Sequence, residues 1–261
     1  MPVDNIAIEQ NSFSSHYSVE ARSDIGSRDQ QQDYAYININ GDHIFSVVCD
    51  GMGGTIDGEL ASKTAISVMS YAYSNYSLEK NVDAASFLHQ AMTAADRAVS
   101  AKMTRGVGGT TLVSVIISEN QMHWISVGDS RLYIARSGEL LQATRDHNYR
   151  LRLDEMLERG ELTPDLYEKE SAQGAALLSY LGRGTITLYD LTQSAFHLQQ
   201  GDTILLATDG LTKALSDEEI RTIITSGDKI SQKADTLICQ ACSRGVAAPQ
   251  DNTTFVVIDV L

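Results

Sequence analysis

Apolar residues fall into short continuous or alternating runs of strand length at residues 18–23, 34–39, 44–49, 111–118, 122–127, 131–136, 203–208 and 254–260. Elsewhere the apolar period lengthens to that of a helix, over residues 58–73 and 82–103 and again over 217–224 and 230–242, which predicts two helix pairs. Asn40-Gly41-Asp42 and Ser118-Glu119-Asn120-Gln121 are turn sequences of hairpin length, so the strands flanking each are expected to be antiparallel. Sheets and helices must each bury an apolar side. Strand runs interrupted by helix pairs therefore predict an α+β fold, a four-layer α-β-β-α sandwich of two antiparallel sheets flanked by helix pairs. Residues 146–183 break the pattern, with a charged helix-like piece at 149–161 followed by Leu162-Thr163-Pro164, and read as a surface insertion.

No Pro-rich or Ser/Gly-rich linker separates two apolar blocks, and the prolines are Pro2, Pro164 and Pro249, so residues 1–261 are read as one domain. With 43% hydrophobic residues the chain can bury a sizeable core. Lys and Arg number 20 against 34 Asp and Glu, a formal charge of −14. Such a charge repels phosphate backbones and anionic bilayers, which argues against nucleic acid or a membrane as partner. Residues 1–17 are polar, unlike a signal peptide, and no run approaches the ~18 to 20 apolar residues of a membrane span, so the expected location is cytoplasmic. Cys49, Cys239 and Cys242 are an odd set that fits a reducing compartment rather than a disulfide framework. Cys239-Gln240-Ala241-Cys242 has C-x-x-C spacing, but it stands in a helical run without a second ligand pair, and core packing is its expected role.

The chemistry-bearing positions are acids at strand ends. Asp50-Gly51-Met52-Gly53-Gly54 follows the apolar run 44–49 and reads as a buried strand delivering a carboxylate to a tight turn. Asp209-Gly210 follows 203–208, Asp129 follows 122–127, and Asp251 precedes the closing strand. Asp33, Asp50, Asp209 and Asp251 are the candidate oxygen ligands for a pair of hard cations, and Gly51 would let its carbonyl approach a metal. Arg28, five residues before Asp33, adds a cationic fork able to grip a phosphate, and together these residues suggest metal-assisted phosphoester hydrolysis. Gly106-Val107-Gly108-Gly109-Thr110-Thr111 lacks the Gly-Lys-Ser/Thr ending of a nucleotide-phosphate loop and is expected to let a strand begin near the site. His147, a single histidine at the root of the insertion, could serve as acid or base or satisfy local backbone groups.

Gly26-Ser27-Arg28 with Asp33, Asp50-Gly51-Met52-Gly53-Gly54, Gly109-Thr110-Thr111-Leu112, Gly128-Asp129-Ser130-Arg131, Asp146-His147, Leu181-Gly182, Thr208-Asp209-Gly210-Leu211 and Asp251-Asn252 resemble, in order, the signature of the metal-dependent protein phosphatases, the type 2C serine/threonine phosphatases. Met52 resembles the bacterial branch, where many eukaryotic members have a histidine. The resemblance implies the same sandwich and hydrolysis of phosphoserine and phosphothreonine in proteins by a metal-activated water. It implies that Asp50 bridges two Mn²⁺ or Mg²⁺ ions, Gly51 adds its carbonyl, Asp209 and Asp251 bind the first ion, Asp33 acts through water and Arg28 binds phosphate. On this reading Arg28, Asp50 and Asp209 are the catalytic residues, a third, weaker ion belongs to Asp129 and Asp209, and residues 146–183 are a flap beside the site. Phosphorylated protein substrates, a cognate serine/threonine kinase and a monomeric state are the partner expectations.

The chain departs from the family pattern in places. Gln31-Gln32-Asp33 lacks one possible acid, Met52 cannot protonate a leaving group, and Lys213 stands where the family often has a second acid after Asp209-Gly210, opposing a third ion. Gln32 and Lys213 motivate a second reading, a non-catalytic pseudophosphatase that binds phosphoproteins through the same fold.

Overall fold

The computed structural model describes residues 5–76, 83–103, 108–244 and 249–261, and for residues 54–56 the backbone alone. Residues 1–4, Val82 at the expected start of the second helix, and Gly106-Val107 lie outside the described residues.

One sheet is built around β3 (Asp33–Asn40), β4 (His43–Met52), β6 (Leu112–Ser118) and β7 (Gln121–Val127). Its edges carry β1 (Ile6–Ser12) beside β3 and the short β10 (Asp190–Leu191) and β11 (Phe196–His197) beside β7, while β5 (Gly109–Thr110) pairs with the end of β4. The second sheet runs β2 (Tyr17–Asp24), β13 (Thr253–Val260), β12 (Thr203–Ala207), β8 (Arg131–Arg136) and β9 (Glu139–Gln142). Helices α1 (Gly54–Tyr76) and α2 (Ala84–Lys102) cover the first sheet, and α5 (Asp209–Ala214), α6 (Asp217–Ile224) and α7 (Ile230–Arg244) cover the second. Between β9 and β10 lie α3 (Tyr149–Glu158) and α4 (Pro164–Glu170).

The continuous apolar runs are explained by burial on both faces. In β4, Phe45, Val47 and Cys49 face α1 and α2, whereas Ile44 and Val48 face the other sheet. In β12 and β13, Ile204, Leu206, Val256 and Ile258 fill the space between sheets, and Leu205, Ala207, Phe255 and Val257 meet α5 to α7. Each fully buried Ile or Leu of this kind contributes about 1.5–3 kcal/mol. The result is the four-layer order read from the sequence.

Both hairpins form as expected, β3 to β4 through Gly41 (φ 60°) and β6 to β7 through Glu119 (φ 50°) and Asn120 (φ 63°), the left-handed pair that a two-residue turn requires. Antiparallel pairing holds throughout except at β1, which runs parallel to β3 because the intervening β2 belongs to the other sheet. β1 left no trace in the apolar pattern because nearly all of it is exposed. Two expectations are corrected. The strand carrying Asp50 does not turn after that residue but continues to Met52. Cys239 is exposed and Cys242 half-buried, since the buried face of α7 is Ile230, Ala234, Leu237 and Ala241 and the cysteines lie off it.

Candidate active site

The strand order brings the separate acids to one end of the sandwich. Asp33 opens β3 directly opposite Asp50 in β4. Asp209 follows β12, Asp251 precedes β13 and Asp129 lies between β7 and β8, so the ends of both sheets converge. A cleft of about 530 Å³ is lined there by Arg28, Gln32, Asp50, Gly51, Met52, Thr111, Asp129, Asp209, Lys213 and Asp251, and its wall includes Ala175 and Leu177 from the 146–183 segment. Asp33 does not line it. That carboxylate is fully buried behind the cleft, where Thr208 Oγ1 donates to its Oδ2 at 2.8 Å and Asn5 Nδ2 donates to its carbonyl at 2.9 Å.

Two glycines set how closely these segments approach. A Cβ on Gly51 would stand 2.1 Å from the carbonyl oxygen of Gly58, and one on Gly210 would stand 1.9 Å from that of Asn252. No side chain fits at either position. Gly210 is not in the turn that an Asp-Gly pair after a strand suggests; Asp209 is the first residue of α5, whose N-cap position is held by Thr208 with its hydroxyl turned to Asp33, and whose Leu211 is buried.

Hydroxyls and amides fix the acids in place. Asp50 N donates to Thr111 Oγ1 at 2.9 Å, Thr110 Oγ1 donates to the Asp50 carbonyl at 2.9 Å, and Thr111 Oγ1 meets Ser130 Oγ at 2.7 Å. Asn252 accepts from Gln32 N at 2.8 Å and donates to the carbonyls of Ile25 and Gln30 at 2.8 and 3.1 Å, tying the Arg28 loop to the Asp251 loop. Asn5, Thr111, Ser130, Thr208 and Asn252 had no assigned role in the sequence reading. Thr111, Ser130, Thr208 and Asn252 stood within the recognised motifs, whereas Asn5 carried no signal.

The electrostatics are those of crowded carboxylates. Burial first, with the charge of Asp209 added, pushes Asp33 up to about 7 even though the Thr208 hydrogen bond opposes it. Burial and the same neighbouring charge push Asp129 to about 7. Asp50 is held well above the usual carboxylate range by burial and by Asp33. Asp209 is also raised by burial, although Lys213 opposes the shift. Lys213 Nζ forms an ion pair with Asp209 Oδ2 and stands 3.5 Å from Asp251 Oδ2, which also receives Arg28 Nη2 at 3.0 Å.

The donor set suits hard divalent cations: every candidate side-chain ligand is an oxygen, and they arrive from separate chain segments. Among the described residues Asp33 Oδ1 and Asp209 Oδ1 are buried without a hydrogen-bond partner, as oxygens meant for a cation or its water would be. No three His, Cys, Asp or Glu side chains among the described residues already form a closed metal cage. Lys213 and Arg28 instead draw Asp209 and Asp251 towards themselves.

The root of the 146–183 segment is pinned beside the Asp129 loop. Arg131 holds Asp146 through two bonds of 2.8 and 2.7 Å, His147 N donates to the Gly128 carbonyl at 2.9 Å, and Gly128 N donates to His147 Nδ1 at 3.2 Å. The buried His147 thus serves local backbone groups. Thr110 and Leu181 form a bridge that fixes the other end, and Gly109 and Thr110, within the described part of the glycine run, pair as β5 with Met52 and Gly51 as expected.

The match to known proteins decides the family. The model of the protein phosphatase 2C family matches residues 21–238. The chain belongs to the protein phosphatase 2C family. It is 30% identical over 248 residues to protein phosphatase PhpP of Streptococcus pneumoniae, covering 91% of this chain and 95% of that one. The crystal structure of the Mycobacterium tuberculosis serine/threonine phosphatase PstP/Ppp superposes with a TM-score of 0.76 at 29% identity, covering 94% of this chain and 99% of that one. A structure of the PstP catalytic domain in complex with two manganese ions matches with a TM-score of 0.74 at 29% identity, covering 94% of this chain and 99% of that one. The expectation of a metal-dependent serine/threonine phosphatase of the bacterial type is borne out, and nothing in these matches favours the non-catalytic binding module. No helix among the described residues is long and apolar enough to cross a membrane.

Proposed function

We propose that the protein hydrolyses phosphoserine and phosphothreonine in protein substrates, in dependence on Mn²⁺ or Mg²⁺. The observation that supports this most is the convergence of Asp50, Asp209 and Asp251 on one cleft with buried, unpartnered oxygens of Asp33 and Asp209 behind and beside it. Asp50, the Gly51 carbonyl, Asp209 and Asp251 would hold two ions, and Asp33, set behind the cleft, would reach them through water. Bound divalent ions supply a water acidified towards neutrality and offset the charge that develops on the phosphoryl oxygens.

The chain's own residues do the rest. Arg28 is more than half exposed at the rim and is free to turn its guanidinium from Asp251 to two oxygens of a phosphoryl group. Without a bound cation, burial and the charge of Asp209 raise Asp33 and Asp129 to about 7, and a bound ion would favour their ionised forms. Asp129 with Asp209 would hold any third ion, against the nearby charge of Lys213. Ala175 and Leu177 cover one side, so residues 146–183 act as a flap over the substrate within a single catalytic domain. A monomer acting on the products of a serine/threonine kinase is the arrangement this reading favours.

The test is hydrolysis of a phosphothreonine peptide by purified protein. Activity should require Mn²⁺ or Mg²⁺ and disappear with EDTA; a folded, Mn²⁺-loaded protein that leaves the peptide intact would overturn the proposal.

A further inference from the structure

Lys213 stands one helical turn after Asp209 on α5, so its side chain rises along the same face. The backbone beneath it is held tightly, because Gly210 presses on the Asn252 carbonyl and Leu211 and Leu215 are buried. The ammonium pairs with Asp209 Oδ2 and lies 3.5 Å from Asp251 Oδ2. Both carboxylates are among those to which the proposed function assigns the two ions. The Lys213 side chain is 57% exposed, and its four-carbon stem can swing the ammonium into solvent without moving α5. Its charge is felt beyond those contacts, since it favours the ionised forms of Asp209 and Asp129.

We propose that Lys213 sets the cation affinity of the site by competing, through its ammonium, with divalent ions for Asp209 and Asp251. The inference rests on the reading of these acids as cation ligands. An ion entering between them must displace a resident charge of the same sign, and the displacement lowers its affinity relative to a site with a neutral residue at position 213. The competition is reversible, because a solvated lysine is an acceptable alternative state. Lys213 would therefore raise the Mn²⁺ concentration at which the enzyme becomes loaded.

Calorimetric titration of Mn²⁺ into chelator-treated, desalted protein tests this with the wild type, Lys213→Met and Lys213→Arg. Cooperative melting of each variant checks folding, which an exposed side chain should not disturb. Lys213→Met should bind Mn²⁺ about tenfold more tightly, the effect of removing one competing charge at close range, and Lys213→Arg should stay near the wild type. Equal or weaker binding by Lys213→Met would overturn the proposal while leaving the cation site intact, as would an arginine variant that binds as tightly as the methionine one. Absence of Mn²⁺ binding in every form would overturn both this inference and the reading on which it rests.

Discussion

Strands β12 and β13 carry acids at both ends, and the two ends treat them in opposite ways. At the end away from the cleft, Asp202 is almost fully buried, and Arg136 closes on it with bonds of 2.8 and 2.7 Å while Gln199 N adds a third at 2.8 Å. Beside it Asp259 receives Lys233 Nζ at 3.0 and 3.1 Å and Thr203 Oγ1 at 2.6 Å. Each acid there has its own cation. At the cleft end Asp209 and Asp251 share Lys213, and Asp33, Asp50 and Asp129 make no ion pair among the described residues. Buried carboxylates are stable when closed by a partner. The cleft acids have no such dedicated closure, and the raised proton affinities of Asp33, Asp50, Asp129 and Asp209 are the physical mark of a site that awaits an external cation.

The sharpest way to break this contrast is to remove one acid from each end. Asp209→Asn should lower kcat/KM for p-nitrophenyl phosphate by on the order of a thousandfold or more, because a ligand charge is lost. Its stability in chelator should stay within about 1 kcal/mol of the wild type, since a crowded carboxylate has been removed. Asp202→Ala should do the reverse. It strands Arg136 and should cost roughly 2–3 kcal/mol in urea unfolding, somewhat below the figure for a wholly buried pair because Arg136 is partly exposed, with kcat per folded molecule unchanged. An Asp202 variant that lost activity while keeping its stability would erase the distinction.

A smaller effect concerns pH. Asp33 and Asp129 have folded values raised to about 7, above their ordinary values, so between roughly pH 4 and 7 the folded protein binds more protons than the unfolded chain. Stability in chelator should therefore be higher at pH 5.5 than at pH 8, by a few degrees of melting temperature. Saturating Mn²⁺ should reverse the sign, since ions bind the deprotonated ligands. Equal melting temperatures at both pH values in chelator would show that the cleft acids are not crowded.

Much of this was legible in the chain. The apolar runs gave the inner strands because those strands are buried on both faces, and acids at strand ends, Asp50 and Asp209 in Asp-Gly pairs, gave the site. What the pattern hid has physical reasons. β1 is exposed beyond Ile6 and polar from Glu9 on, and β10 and β11 are too short for any period to show. Asp209-Gly210 reads as a turn locally, yet Asp209 opens a helix whose apolar Leu211 is buried against the sheet. The cysteines of α7 were expected inside because Leu237, Ile238 and Ala241 surround them, but the helical period rotates Cys239 to solvent. Lys213 was visible as a departure from the family pattern, whereas its contact with both Asp209 and Asp251 required the spacing of α5 against the β13 loop. The supporting hydroxyls of Thr208 and Thr111 were equally beyond reach, since their partners lie 175 and 61 residues away in sequence.

The most direct measurement is an anomalous difference map from a crystal of the protein soaked in Mn²⁺. The account predicts manganese peaks bounded by Asp50, Asp209 and Asp251, Lys213 moved off Asp209, and no peak beside Asp202 or Asp259. A map with no manganese at the cleft, or with manganese at the Asp202 end of the sandwich, would contradict it.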